Sequence, residues 1–209
     1  MDKNITVIIF DFDGVISQSV NIKTEAFEKI YKPYGVEVVK KVKAHHLANG
    51  GMSRFEKFKI YHGDYLKIKL KDKQIIELSK EFSKNVVKKI VKAPYVPGAY
   101  EFIRKYFKKY TYFLITATPQ NEIENIVKLK GLDKYFVRVL GSPLEKHENI
   151  NRILNQYKLD KSEVCYIGDS LNDYTASKRC GIKFIGLGLK KMNPFPHKVT
   201  IIKSFEILL

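Results

Sequence analysis

Cysteine is scarce in this sequence, with two residues, Cys165 and Cys180, in a chain of 209. Cys165 lies in an apolar run and Cys180 lies near the predicted end of a helix. Neither has the neighbouring ligands at the spacing that a metal site requires. We therefore expect two reduced and buried thiols.

Long apolar runs are also missing. No run approaches the roughly 20 residues that are needed to span a bilayer. The N-terminal segment starts almost at once with the apolar residues 5–10 and then becomes acidic, so it has neither the length nor the cleavage site of a secretory signal. We expect a cytoplasmic protein with no membrane partner.

Acidic residues are outnumbered, with 22 Asp and Glu against 38 Lys and Arg, and the formal net charge is +16. Such an excess raises the question of a nucleic-acid or anionic partner. The lysines are scattered over predicted helices, where they fall on solvated faces. The aromatic interleaving and the motifs of nucleic-acid-binding domains are missing, so we expect no nucleic-acid partner.

The chain does contain an alternation of apolar patterns. Runs rich in Ile, Val, Phe and Tyr predict buried strands at residues 5–10, 112–115, 136–140, 164–167 and 184–187. Between the later runs, apolar residues recur with helical spacing, as in Ile103, Tyr106 and Tyr110. The alternation predicts an α/β fold with a doubly wound parallel sheet that is covered on both faces.

Residues 17–95 interrupt this alternation, because they hold only helical patterns such as Phe27, Ile30 and Tyr31. A crossover between parallel strands needs only about a dozen residues. Pro94 and Pro97 mark the end of the stretch. We therefore predict a Rossmann-like core of residues 1–16 and 96–209 with an inserted, all-helical cap domain of residues 17–95.

Acidic residues cluster after two of the predicted strands. Asp11 and Asp13 follow the first strand in the segment DFDGV, and Asp169 and Asp173 follow the fourth in the segment GDSLND. Open α/β sheets hold their ligands at the carboxyl ends of the strands, so the four carboxylates are expected to converge. Carboxylates this close repel one another unless a cation or a shared proton relieves them, and we interpret the cluster as a metal site. Oxygen ligands suit a hard ion such as Mg²⁺.

Two further strand ends offer groups that suit a phosphoryl substrate. Thr116 follows the second predicted strand, and Lys146 follows the third strand and a turn. A hydroxyl and an ammonium can share the charge of phosphoryl oxygens, and phosphoryl transfer depends mainly on positioning and electrostatics. Thr118 competes with Thr116 for this role, and we favour Thr116 because it directly follows the predicted strand.

This ordered set resembles the four motifs of the haloacid dehalogenase superfamily, and in particular its phosphoglycolate phosphatase-like members with a helical cap inserted after the first motif. The match covers nearly the whole chain. The resemblance implies that Asp11 attacks phosphorus to form an aspartyl phosphate. It implies that Asp13 protonates the leaving oxygen and later acts as the base for the hydrolytic water.

The resemblance also implies a set of metal ligands. The carboxylates of Asp11 and Asp169 and the backbone carbonyl of Asp13 would hold Mg²⁺, with Asp173 in support.

The remaining implied roles concern the substrate. Lys146 would steady the nucleophile and the phosphate, and Thr116 would hydrogen-bond a phosphate oxygen, with Ala117 beside it.

One departure from the family pattern is the pair Gln18-Ser19, where many capped members have an acid followed by serine. That acid belongs to the link toward the cap, so its absence affects loop details more than activity.

The predicted cap contains the paired glycines Gly50 and Gly51, which permit unusual backbone angles and let a loop reach the active site. Arg54 is a candidate for substrate contact. Alternatively, Ser53 caps a helix that starts at Arg54, and Arg54 is solvated. His45 and His46 are not interpreted as ligands, because adjacent helical residues face different ways.

The predicted function is Mg²⁺-dependent hydrolysis of a small-molecule phosphomonoester by a monomer or homodimer. A sugar phosphomutase of the same superfamily stays open, because it shares every core residue. A dehalogenase is disfavoured, since halide departure needs no acid such as Asp13. A receiver-like phospho-switch and a basic nucleic-acid-binding module are the alternatives outside enzymes. The sequence does not identify the ester.

Overall fold

A six-stranded parallel sheet forms the centre of a computed structural model, which describes residues 2–188, 194–196 and 198–209. The strands are β1 (Val7–Phe10), β2 (Thr111–Pro119), β3 (Arg138–Ser142), β4 (Val164–Gly168), β5 (Lys183–Leu187) and β6 (Thr200–Ile202). Their order is β3-β2-β1-β4-β5-β6. The strand order therefore reverses at β1, and the crevice at such a switch point is where open α/β sheets bind ligands.

The described part of the chain contains eight α-helices. They are α1 (Val20–Tyr31), α2 (Val36–Ala48), α3 (Arg54–Ile60), α4 (Asp72–Lys92), α5 (Ala99–Tyr106), α6 (Gln120–Leu129), α7 (Lys146–Tyr157) and α8 (Leu171–Cys180). Shorter helical turns span Lys32–Tyr34, Tyr61–Tyr65, Asp133–Tyr135, Lys161–Glu163 and Phe205–Leu208. The helices α1 to α5 all lie between β1 and β2 in the chain.

The side chains of β1 alternate between the two faces of the sheet, as expected for a strand. Ile8 and Phe10 pack into a core that includes residues of α5 and α6. Val7 and Ile9 pack into a second core with residues of α7 and α8. Both faces are therefore covered by helices, and the predicted doubly wound α/β fold is confirmed.

The helices α1 to α4 pack around a cluster of buried rings. Phe27 lies at its centre, with ring centroids 4.5 Å from Phe82 and 5.7 Å from Phe58. Where the chain leaves and re-enters the sheet region, Ser17 forms a β-bridge with Tyr95. The two connecting passages therefore run side by side.

The strands β1, β3, β4 and β5 are shifted by one or two residues from the predicted runs at one end or both, and two strands differ more. The strand β2 continues past residue 115 to Pro119, with an irregularity in its pairing to β3 between Ile115 and Pro119. Thr116 therefore lies within this strand and does not follow it. The strand β6 was not predicted, because its three residues are too few to show a period of two.

Both cysteines are free and buried, as predicted. In the described ranges, no helix combines the length and the apolar character that crossing a membrane requires.

Candidate active site

Three carboxylates meet at the carboxyl edge of the sheet. Asp11 follows β1, Asp169 follows β4, and Asp173 lies in the first turn of α8. One oxygen from each side chain lies within 4.8 Å of the others. Because β1 and β4 are adjacent in the sheet, residues that are far apart in the sequence share one small volume.

Gly14 allows the close approach of these segments. Its φ of 78° lies in the left-handed region, which glycine adopts without strain. A β-carbon at this position would overlap the carboxylate of Asp169. A β-carbon at Gly168 would overlap Asp173 in the same way. The glycine in each acidic segment thus makes room for a carboxylate.

Lys146, the first residue of α7, is the cation at this cluster. Its Nζ lies 2.6 Å from Oδ1 of Asp173 and 3.1 Å from Oδ1 of Asp11. Burial alone would lower the pKa of Lys146, but Asp11 and Asp173 raise it above its ordinary value. Oδ2 of Asp173 accepts hydrogen bonds from the hydroxyl and the amide of Ser170, at 2.6 and 3.1 Å. Both oxygens of Asp173 are therefore engaged by the protein.

The carboxylates of Asp11 and Asp169 are poorly compensated. Burial raises the pKa of Asp11 to about 7, with Lys146 acting against it and Asp173 adding to it. Burial and then the charge of Asp11 raise the pKa of Asp169 well above its ordinary value. Oδ1 of Asp11 has Lys146 as an ion-pair partner at 3.1 Å but accepts no hydrogen bond of suitable geometry from the described residues. Crowded oxygen ligands that lack donors fit a hard cation such as Mg²⁺.

The side chain of Asp13 has other partners. Its Oδ1 accepts a hydrogen bond from Oγ of Ser19 at 2.6 Å, and its Oδ2 forms an ion pair with Lys23. Burial acts to raise the pKa of Asp13, but Lys23 and Ser19 outweigh it and hold the pKa below its ordinary value. Asp13 therefore rests as a carboxylate at neutral pH.

The two threonines of β2 have different partners. Oγ1 of Thr118 lies 2.8 Å from Nζ of Lys23 and 3.3 Å from Oδ2 of Asp13. Oγ1 of Thr116 accepts a weaker hydrogen bond, at 3.3 Å, from the amide of Thr118. Thr116, Ala117 and Thr118 all line the same cavity. Thr118 is committed to Asp13 and Lys23, which leaves Thr116 as the freer hydroxyl.

The loop with the paired glycines reaches this cluster. A β-carbon at Gly51 would lie 2.8 Å from Oγ of Ser170 and 3.2 Å from Nζ of Lys146. Gly50 and Gly51 line a cavity of about 310 Å³ together with Asp11. The residues of α1 to α3 that also line it include Lys23, His46 and Lys57, none of which was singled out as a site residue from the sequence.

Arg54 is buried and paired. Its Nη1 and Nη2 lie 2.9 and 2.5 Å from the two carboxylate oxygens of Glu122 on α6. Nη1 also donates to Oγ of Ser83 at 2.9 Å, and the guanidinium lies 4.4 Å from the ring centroid of Phe82. The alternative of a solvated Arg54 is wrong, because α3 turns this residue toward α4 and α6. The capping by Ser53 is confirmed, with Oγ accepting from the amide of Glu56.

This ion pair should contribute to stability, because both side chains are less than a tenth exposed. Replacing Glu122 with Gln is expected to lower the free energy of unfolding by about 3 kcal/mol, since an unpaired buried charge remains. Urea denaturation measures the change. Glu25→Gln is the control, because Glu25 pairs with Lys89 on the exposed surface and should change stability by less than about 1 kcal/mol. Equal effects in the two variants would contradict the prediction.

The family assignment rests on a match of the haloacid dehalogenase-like hydrolase profile to residues 8–187. Since this range covers most of the chain, the protein belongs to the haloacid dehalogenase-like hydrolase family. The resemblance inferred from the motifs is confirmed.

Individual relatives are more distant. The chain is 24% identical over 194 residues to a phosphoglycolate phosphatase of Vibrio vulnificus (strain CMCP6), covering 88% of this chain and 84% of that protein. It is 27% identical over 184 residues to a phosphorylated carbohydrates phosphatase of Thermotoga maritima, covering 85% of this chain and 82% of that protein. A solved beta-phosphoglucomutase from Clostridium difficile superposes with a TM-score of 0.78 at 18% identity, covering 98% of this chain and 93% of that chain. This last likeness supports the fold alone.

Proposed function

We propose that this protein is a Mg²⁺-dependent phosphatase that hydrolyses a small-molecule phosphomonoester through an aspartyl phosphate. The observation that carries the proposal is the cluster of Asp11, Asp169 and Lys146 beside a cavity of about 310 Å³. The family, and the phosphatase names of two relatives that align over most of this chain, support it.

The metal site would use the carboxylates of Asp11 and Asp169 and the backbone carbonyl of Asp13. Mg²⁺ bound there would neutralise charge on the phosphoryl oxygens. Asp173 supports the site less directly, because its two oxygens already hold Lys146 and Ser170.

The covalent steps belong to two aspartates. A carboxylate oxygen of Asp11 forms a bond to phosphorus as the ester P–O bond breaks, and Asp13 gives its proton to the leaving oxygen. Asp13 then takes a proton from the water that attacks phosphorus, which regenerates the Asp11 carboxylate. Lys146 lies 3.1 Å from Asp11 and opposes the rise in its pKa that burial causes. Thr116 hydrogen-bonds a phosphoryl oxygen beside Ala117.

Asp13 must gain a proton before it can act as an acid, because Lys23 holds it ionised. An arriving phosphoryl dianion disfavours a second negative charge nearby and so raises the pKa of Asp13. The negative charge of the substrate thus favours protonation of Asp13, and protonated Asp13 is the acid that the leaving oxygen needs.

Residues 17–95 would act as a cap over the ester and exclude bulk water. Arg54 holds α3 against α6 through its ion pair with Glu122. We therefore propose that Arg54 positions α3 in the cap and does not contact the substrate directly.

The test is a panel of small phosphate esters, with free phosphate as the readout and with Mg²⁺ or EDTA present. Removal of Mg²⁺ is expected to lower turnover by about a hundredfold, because a metal contributes several kcal/mol to charge stabilisation, and added Mg²⁺ should restore it. Glucose 1-phosphate separates the alternatives, since a mutase converts it to glucose 6-phosphate. Metal-independent turnover would argue against the proposed site.

A further inference from the structure

The part of the cavity wall that α2 and α3 form carries a buried histidine and lysine. Lys57 on α3 and His46 on α2 are 2% and 8% exposed. Nζ of Lys57 lies 2.8 Å from Nδ1 of His46 and 3.4 Å from its backbone oxygen. Both residues line the cavity that contains Asp11.

Lys57 has no compensating carboxylate in the ranges that the structure describes. In the described part of the chain, four cations line the cavity: Lys23, Arg54, Lys57 and Lys146. The other three are paired, with Asp13, Glu122 and Asp173 respectively. Among the described residues, no carboxylate lies within ion-pair distance of Lys57. Burial first, and then the charges of Lys23 and Lys146, lower its pKa to about 7, with Asp13 acting against them.

Hydrogen bonding at this pair is also incomplete. Burial and then Lys57 lower the pKa of His46 to about 3, so the ring is neutral. While the ammonium of Lys57 donates to Nδ1, the proton of the ring lies on Nε2. That atom is buried and has no partner among the described residues. The third N–H of the Lys57 ammonium likewise has no acceptor there.

Two unsatisfied donors therefore lie in one wall of the cavity when Lys57 is protonated, and an anion bound beside Lys57 raises its pKa and so favours that charged form. A carboxylate matches them, because it is an anion with two acceptor oxygens and no donor. A second phosphoryl group carries more charge than a single ammonium offsets, and the guanidinium of Arg54 is held by Glu122.

We propose that Lys57 and His46 determine specificity by binding a carboxylate on the leaving group, so that the substrate is the phosphate ester of a small hydroxy acid. This proposal rests on the phosphatase function proposed above. The phosphoryl end of the molecule lies at Asp11, Lys146 and Thr116, and Lys57 and His46 receive the acid end.

The experiment compares 2-phosphoglycolate with ethyl phosphate, which lacks the carboxylate, and with ethane-1,2-diol bisphosphate, which replaces it by phosphate. The wild-type protein is expected to prefer 2-phosphoglycolate by kcat/KM. Lys57→Met is expected to reduce that preference by about ten- to a hundredfold, mainly through KM, since it removes a hydrogen bond between charged groups. His46→Phe should reduce it in the same direction.

Lys59→Met is the matched control, because Lys59 lies on the same helix and is exposed. Its preference should equal that of the wild type. Thermal unfolding shows whether Lys57→Met folds, which we expect because it removes an unpaired buried charge.

The outcomes separate the two proposals. Turnover of p-nitrophenyl phosphate without a preference for 2-phosphoglycolate overturns the carboxylate site and leaves the phosphatase intact. A preference for the bisphosphate also overturns it. Absence of turnover with every ester contradicts the phosphatase function and removes the basis of both.

Discussion

An Asp11→Asn variant is expected to lose turnover of p-nitrophenyl phosphate by about ten-thousandfold or more, as for other covalent nucleophiles. An amide has nearly the shape of the carboxylate but does not attack phosphorus. Lys146 keeps its ion pair with Asp173 in this variant, so the cavity should retain its form. Steady-state release of p-nitrophenol measures the loss.

Two controls make this result specific to Asp11. Asp133→Asn removes an exposed carboxylate that does not line the cavity, and it should turn over ester like the wild type. Circular dichroism shows whether the Asp11→Asn variant is folded. Mass spectrometry of rapidly quenched wild-type enzyme should find a phosphoryl adduct on the peptide that contains Asp11. Residual turnover above about 1% in a folded variant is incompatible with Asp11 as the nucleophile.

Most of the prediction that Asp11 and Asp169 meet could be made from the sequence. Each follows an apolar run that reads as a buried strand, and the ends of parallel strands lie at one edge of a sheet. Each of these inferences uses only residues that are close in the sequence. The prediction also assumed that β1 and β4 are neighbours in the sheet. The structure provides that adjacency.

The contacts of Arg54 and the role of Lys57 could not be predicted from the sequence. Arg54 and Glu122 are separated by 68 positions, and their contact depends on how α3 is rotated against α4 and α6. Periodicity predicts that a helix exists but does not give its rotation against helices that are distant in the sequence. Nothing in the sequence distinguished Lys57 as a site residue either, because it is one of 38 Lys and Arg residues.

The position of Thr116 shows a smaller limit of the same kind. The apolar run ends at Ile115, so the strand was predicted to end there. The structure continues β2 through Thr118 to Pro119 with an irregular register against β3. The apolar pattern of a sequence marks residues that pack into the core. A strand end whose side chains line a cavity is polar, so the pattern does not mark it as part of the strand.

Asp13→Asn is expected to have the second largest effect, with a pattern that depends on the leaving group. For ethyl phosphate, kcat should fall by about a thousandfold, because the alkoxide has no acid to protonate it. p-Nitrophenolate is a stable anion that departs without an acid. The first step with p-nitrophenyl phosphate should therefore persist in the variant.

The second step with p-nitrophenyl phosphate still needs a base, and the amide that replaces the carboxylate of Asp13 provides none. Stopped-flow measurements should therefore show a burst of about one p-nitrophenolate per active site, followed by slow turnover. Ser19→Ala is the matched control, because it removes the 2.6 Å hydrogen bond to Asp13 and leaves the carboxylate; it should give no burst and a smaller loss. An equal loss with both esters and no burst would mean that Asp13 positions the site without transferring a proton. Because Lys23 keeps Asp13 ionised in the structure, the burst tests whether that carboxylate is the base for the second step.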